Sequence, residues 1–304
     1  MLREAENKVR IEGVLSETDL KYGSFQKNGK TLETVGGVIK IKVSQNINGE
    51  DKVNEIPVHM FSTKYTNAGK PNPAYESIEK VMNEFISIAA AGGEVGADRV
   101  RITGAKIQMN EYHAPDGHLI SFPRITASFV TKIKKEECKP EATFSAEMVV
   151  AKRTFEVDKD GVETGRYKIS GIIPQYGGKI DVVDFLASNR SVVDAIEQYW
   201  SEQDTVRCTG RLNFTSVTVT HMEEQGFGEA IERTRTRNVN ELIITGGSPT
   251  PLEGEFAFDI DEINEAIAAR KARLEEQKNK DANKTHQRSA PAEQSSKGLN
   301  DLGF

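Results

Sequence analysis

The pentapeptide Val100-Arg101-Ile102-Thr103-Gly104 returns as Val206-Arg207-Cys208-Thr209-Gly210, at an offset of 106 (206 minus 100). A recurrence of this kind requires that the chain be read first as a repeat. The flanks recur as well. Ile78, Val81 and Phe85 share one helical face in Glu76 to Phe85, and Val193, Ile196 and Trp200 share one in Ser191 to Trp200. Further back, Glu55 to Phe61 matches Lys179 to Phe185, and Gly37 to Val43 matches Tyr167 to Ile173, all strand-like. Each half therefore reads strand, strand, strand, helix, strand, strand, the order of a Greek-key OB barrel. The expected architecture is mainly β. It consists of two tandem five-stranded Greek-key OB-like barrels, residues 1–138 and 139–252, each with a helix between strands 3 and 4. A C-terminal helix (253–280) and a disordered tail (281–304) with an apolar tip follow.

A chain of 304 residues is long enough for two domains of the common size, each burying its own core. No apolar run approaches the ~20 residues that span a bilayer, and Met1-Leu2-Arg3-Glu4 has no signal-peptide pattern, so a cytoplasmic protein is expected. Cys138 and Cys208 are too far apart to act as a ligand pair, and Cys208 stands where the first copy has Ile102, which reads as a small apolar residue. The net charge of −6 is unevenly spread. Residues 1–135 hold 19 basic and 16 acidic side chains, residues 136–252 hold 13 and 19, and residues 253–304 hold 8 and 11. Only the first half is basic on balance.

Taken in order, residues 8–16 form the first strand and Glu17 to Val35 a long polar loop. That loop carries Tyr22 and Phe25 among Lys21, Lys27 and Lys30. Exposed rings interleaved with lysines suit single-stranded nucleic acid, because any base stacks on a ring and ammonium groups follow phosphates. The bland alternative is that these aromatics fold back on the barrel mouth. Lys40 and Lys42 leave the second strand on one face, and Lys64 and Tyr65 lie in a polar loop before the helix. Arg101, Lys106 and Tyr112 on the fourth strand (Arg99 to Tyr112) and Arg124 on the strand Phe122 to Ile133 complete the first set. The second half offers Arg153, Arg166, Lys168, Arg207 and Arg211, then Arg233, Arg235 and Arg237 two apart on the last strand. Period two puts those three arginines on one face, to track phosphates or to pair with Glu223, Glu224, Glu229 and Glu232 of the same hairpin.

Catalytic patterns fail when tested by spacing. Gly69-Lys70 is followed by Pro71, where a P-loop needs a hydroxyl residue. His113, Asp116 and His118 surround a Pro-Asp-Gly turn with no further ligand. Asp158-Lys159-Asp160-Gly161 is a hairpin turn, since Asp158 replaces the lysine of a ligase motif and Ile169 the last carboxylate of an EF-hand. The sequence predicts no enzyme and no cofactor.

After Gly246-Gly247-Ser248-Pro249, the stretch from Asp259 to about Lys280 spaces Ile260, Ile263, Ile267 and Leu274 helically, to pack on a barrel edge or a partner subunit. Asp281 to Lys297 is too polar to form a core, yet Leu299-Asn300-Asp301-Leu302-Gly303-Phe304 turns apolar again. Tandem OB-like halves with a tail ending in Asp-Leu-Gly-Phe resemble the single-stranded DNA-binding proteins of bacteria and their phages. The resemblance implies sequence-independent binding and protection of single-stranded DNA in replication and recombination. It also implies docking of replication or recombination proteins through Asp301, Leu302 and Phe304. Two barrels in one chain fit a phage-encoded version, monomeric or dimeric, with no membrane association. A virion structural or assembly protein and a strand-annealing mediator are the alternatives.

Overall fold

Val9, Ile11 and Leu15 are buried along the first strand while Lys8 and Arg10 stay exposed, and this alternation sets the inner face of everything that pairs with it. In the computed structural model, which describes residues 2–47, 49–114, 116–158, 160–223 and 231–288, the chain is mainly β. The first half contains β1 (Asn7–Lys27), β2 (Lys30–Ile47), β3 (Glu50–Thr63), α1 (Pro73–Glu84), α2 (Ile88–Ala91), β4 (Arg99–His113), β5 (Leu119–Thr126) and β6 (Thr131–Ile133). The second contains β7 (Glu141–Val157), β8 (Glu163–Pro174), β9 (Ile180–Ala187), α3 (Arg190–Tyr199), β10 (Thr205–Glu223) and β11 (Ile231–Gly247), followed by α4 (Ile260–Arg288). Strands pair in the cycle β1-β2-β3-β5-β4 and back to β1, with β3 and β5 parallel. β7-β8-β9-β11-β10 closes in the same way. Each half is thus a ring of five hydrogen-bonded strands.

The two rings meet along their first strands, where β1 pairs antiparallel with β7 from Asn7↔Ala146 to Glu12↔Glu141. One buried glutamate per ring sits at this seam. Glu12 faces Arg101 across β1 and β4, and Glu147 faces Arg207 across β7 and β10. Arg101 Nε donates to Glu12 at 2.7 Å, and Arg207 Nη2 to Glu147 at 2.8 Å. Each carboxylate also accepts the amide just before the other ring's first strand, Lys139 N to Glu12 at 2.6 Å and Glu6 N to Glu147 at 3.1 Å. The arginine of the repeated pentapeptide is therefore there to neutralise a carboxylate buried in the seam.

The hairpins interlock by the same rule. Met109 N on β4 donates to Asp181 of β9 at 3.2 Å, and Phe214 N on β10 donates to Asn54 of β3 at 3.0 Å. The buried apolar side chains form one continuous cluster running through Val9, Ile11, Ala142 and Phe144, where separate cores were expected. Cys208, fully buried, has its thiol pushed up to about 12 by that burial and belongs to this core.

Four sequence expectations need correction. Glu17 to Val35 is no loop: β1 and β2 run straight through it as a projecting hairpin arm, turning at Asn28-Gly29 with φ of 52° and 73°, the positive-φ pair that a two-residue hairpin demands. Phe122 to Ile133 is two strands, because Ser128 and Phe129 leave the sheet once β5 has finished pairing with β3. Phe61 and Phe185 are not equivalent, since Val58 opposes Ile39 as Phe185 opposes Ile169, which puts Phe185 in the core and Phe61 outside. A shift of three residues is odd, and odd shifts swap faces. Finally, α4 continues to Arg288, past the expected end near Lys280. No Gly or Pro stops it before Pro291, and extending a formed helix costs little. Asp259 caps its start by accepting from Asp261 N and Glu262 N, and Arg270 and Arg273 pin it to Glu111 on β4.

Trp200 closes the end of α3, 3% exposed, with Nε1 donating to Ser248 O at 2.9 Å. Trp200→Ala should lower the unfolding free energy by about 3–5 kcal/mol, read by circular dichroism in denaturant; a loss below about 1 kcal/mol contradicts the packing described. The seam sets the acid limb of stability. Hydrogen bonding from Arg101, against an opposing contribution from burial, holds Glu12 below the ordinary value near 4.5; burial would raise Glu147, but bonds from Arg3, Glu6 N and Arg207 bring it below as well. Both folded values are depressed, so this stabilisation is complete above pH 4.5 and is lost as pH falls through the folded values. Glu12→Gln should flatten that loss in a urea titration between pH 5 and 3, and an unchanged acid limb would show that the seam carboxylates do not titrate with folding.

Candidate nucleic-acid interface

In a ring of strands, residues directly opposite one another share a face, and so do residues two apart along a strand. On the outside of the first ring, Val38, His59, Thr126 and Lys106 stand side by side across β2, β3, β5 and β4. Gln108 and Arg124 form the next row on one side, with Lys40 and Pro57 continuing it. On the other side lie Lys21, Gly36 and Phe61. The middle of these rows, Val38, His59, Phe61, Thr126, Lys106, Gln108 and Arg124, lines an open cleft of about 800 Å³ bordered also by Gly37, Gly104 and Phe129.

The chemistry of the cleft follows from its lining. Phe61 is 63% exposed and Phe129 56%, an unusual exposure for two large rings lining one cleft. Gly36 lies under Phe61, where any Cβ would meet Met60 O at 2.7 Å and the Phe61 ring at 3.1 Å. Arg124 donates to Asn110 Oδ1 at 3.3 Å, and its Nε has no partner among the described residues. Burial, with Arg124 beside it, holds the His59 imidazole below its ordinary value near 6.5, so at neutral pH it presents a flat neutral ring rather than a charge.

The face continues in both directions. Phe25 and Lys27 follow Lys21 at period two along the exposed arm. At the other end Tyr112, on the same side of β4 as Lys106, makes an edge contact with Phe122 at 6.4 Å between ring centres. Lys21, Phe25, Lys27, Lys40, Lys106, Tyr112 and Arg124 are thus brought onto one face. Lys21, Lys40 and Lys106 hold exposed carboxylates there, Asp19 at 3.0 Å, Glu17 at 2.6 Å and Glu4 at 2.5 Å. Such pairs contribute roughly 0–1 kcal/mol each and exchange readily for phosphate.

Other candidates stand elsewhere. Tyr22 lies on the opposite side of the arm, its hydroxyl donating to Glu79 of α1 at 2.8 Å, and Lys64 pairs with Glu33 on that same side at 2.6 Å. Tyr65, 53% exposed, bridges to Pro71 in its own loop. Lys42 is held by Glu94 at 2.8 Å, and Arg101 and Arg207 serve the seam. In the second ring Arg153 donates to Ile196 O at the end of α3, Arg166 lies between Glu156 and Glu241, and Lys168 pairs with Asp184. Arg211 occupies the place of Lys106. The backbones of Arg233, Arg235 and Arg237 are in β11, but their side chains lie outside the described residues, as do Asp301, Leu302 and Phe304. Sequence reasoning missed Phe61, His59 and Phe129. For Phe61 the signal was present, since it breaks the alternation of Ile56, Val58 and Met60 into the core.

Among the described residues no three metal-ligating side chains converge, and no helix is long and apolar enough to cross a membrane. The model of the YorF family matches residues 5–280. The chain belongs to the YorF family. The matched span takes in both rings, the seam and most of α4 of this family member. Among solved structures the chain is similar to the single-stranded DNA-binding protein of Thermus aquaticus, with 10% identity over 83% of this chain and 96% of that one, at a TM-score of 0.49. A deletion variant of the same protein matches at 10% identity, 83% and 97% coverage and a TM-score of 0.48. At that distance the likeness carries no residue from one chain to the other. No curated protein matches.

If the face is a stacking platform, Phe61→Ala should weaken binding of oligo-dT by about 1–3 kcal/mol, roughly 5- to 150-fold. Tyr22→Phe, on the far side of the arm, should leave it unchanged. Fluorescence anisotropy of a labelled oligonucleotide reads both, and the reverse ranking would remove the assignment of faces.

Proposed function

We propose that each ring is an OB-like barrel and that the chain binds single-stranded DNA without sequence preference, through the outer face of the first barrel, in replication or recombination. The observation that carries this reading is the cleft itself, in which the exposed rings of Phe61 and Phe129 stand beside Arg124 and Lys106. Bases stack on Phe61, Phe129 and the neutral His59 ring, while Lys21, Lys27, Lys40, Lys106 and Arg124 follow the phosphates. Nothing in this mechanism requires chemistry on the strand. The cleft is open and the exposed cations are spread along it, which suits an extended single strand better than a compact ligand.

We further propose that Asp301, Leu302 and Phe304 dock a replication or recombination protein, since an apolar ring beside a carboxylate fits a pocket rimmed by Lys or Arg. Deleting Leu299 to Phe304 should leave oligo-dT affinity intact, because the segment adds no cation. Weakened binding on deletion would place the tail in the DNA site instead.

Titrating labelled oligo-dT with protein at two or more salt concentrations tests the main reading. Four or five neutralised phosphates at about 0.7 each predict a log–log salt slope near −3, with duplex of equal length bound far more weakly. Anisotropy is the right probe because Trp200 is buried and will not report stacking. Binding that is absent, or equal for duplex and single strand, would sink the proposal.

A further inference from the structure

The same face exists on the second ring, and its residues can be assigned one by one from strand pairing. Lys168, Leu186, Ile243 and Arg211 stand side by side across β8, β9, β11 and β10, as Val38, His59, Thr126 and Lys106 do across the first ring. Two residues back along the corresponding strands, Arg166 takes the place of Gly36, and Glu241 the place of Arg124. In the first ring the glycine carries no side chain, and the Phe61 ring itself comes within 3.1 Å of where a Cβ would stand. In the second, the arginine reaches across the face, donating to Glu156 at 2.6 and 2.8 Å and to Glu241 at 2.7 Å.

We infer that the second face is a sealed copy of the first, shut to nucleic acid by the Glu156–Arg166–Glu241 bridge, and that Glu241 is the residue that excludes phosphate from it. The inference rests on the reading that the first face binds a single strand. Two features of charge make the seal. Arg166 is saturated by two carboxylates and has no charge left for a phosphate. Glu241 puts a negative charge where Arg124 puts a positive one, and Asn213 donates to its second oxygen at 2.7 Å, which fixes it there. Lys168 pairs with Asp184 at 2.6 Å, an exposed pair of the same kind as Lys40–Glu17 on the first face, and does not distinguish the two. His59 has become Leu186, and the recess beyond is overhung by Met109, Ser121 and Pro123 of the first ring's hairpin and by Arg270 of α4. One chain therefore offers one strand path, where two equal rings would offer two.

Matched charge reversals in the full chain separate the faces. Arg124→Glu on the first and Lys152→Glu on the second, an exposed lysine two residues from Thr154 on that face, change the net charge equally. Oligo-dT affinity should fall at least tenfold for the first and stay within about twofold for the second. Equal losses, or a larger loss for Lys152→Glu, overturn the inference. Glu241→Arg should open the sealed face and raise the number of nucleotides bound per chain at saturation about twofold. The milder Glu156→Gln/Glu241→Gln pair, compared by thermal midpoint with the unsubstituted chain, should raise it in the same direction. No rise from any folded variant of this set counts against Glu241 as the excluding group. If the unsubstituted chain binds no oligo-dT, the functional reading itself fails, an outcome distinct from binding shared equally by both faces.

Discussion

Two buried carboxylates hold the molecule together. Glu12 and Glu147 are each almost fully enclosed where β1 meets β7, and each costs too much to bury unless something neutralises it. Arg101 and Arg207 do so from the neighbouring strand, and the amides of Lys139 and Glu6 complete the shells. Because every one of these bonds crosses either a ring's closure or the seam, a ring that opens or a seam that parts leaves a buried charge bare. The interaction therefore acts on register and assembly as much as on stability. It also accounts for the recurrence of the pentapeptide, whose apolar positions Val100 and Ile102, or Val206 and Cys208, face the core while its arginine reaches the glutamate.

From this near-symmetric frame the two outer faces diverge. A glycine and an arginine in the first ring, replaced by an arginine and a glutamate in the second, reverse both the shape and the charge of one surface while leaving the core and the hydrogen-bond ladder alone. The helix α4, about 43 Å long at 1.5 Å per residue, breaks the symmetry further by lying along the β4–β5 hairpin through Arg270 and Arg273. In such a frame only outward-facing residues need to differ for the two faces to differ in shape and charge.

Much of the frame was legible in the sequence because it is written in core positions. The pentapeptide repeat, the helical stripes of Ile78 and Val81 and of Val193 and Ile196, and the buried Trp200 all follow from apolar periodicity. The surface was legible only in part. Asn28-Gly29 is a hairpin signal, but the polar residues around it read as loop because an arm exposed on both sides has no apolar alternation. Lysines and arginines could be counted but not sorted, since whether Arg101 meets a phosphate or Glu12 depends on a partner 89 residues away. Phe61 was misread because aligning two phenylalanines by identity shifted β3 against β9 by an odd number of residues. Strand pairing, which the sequence does not show, decides that register.

The central claim is that a single strand lies along the outer face of the first ring. Ultraviolet cross-linking of oligo-dT to the intact chain, with the attached peptides mapped by mass spectrometry, tests it most directly, because aromatic side chains stacked on thymine cross-link where they stand. Attachment is expected at Phe61 and Phe129, with Phe25 and Tyr112 at the ends of the path. Cross-links concentrated on the second ring, or on Tyr22 beneath the arm, would contradict it.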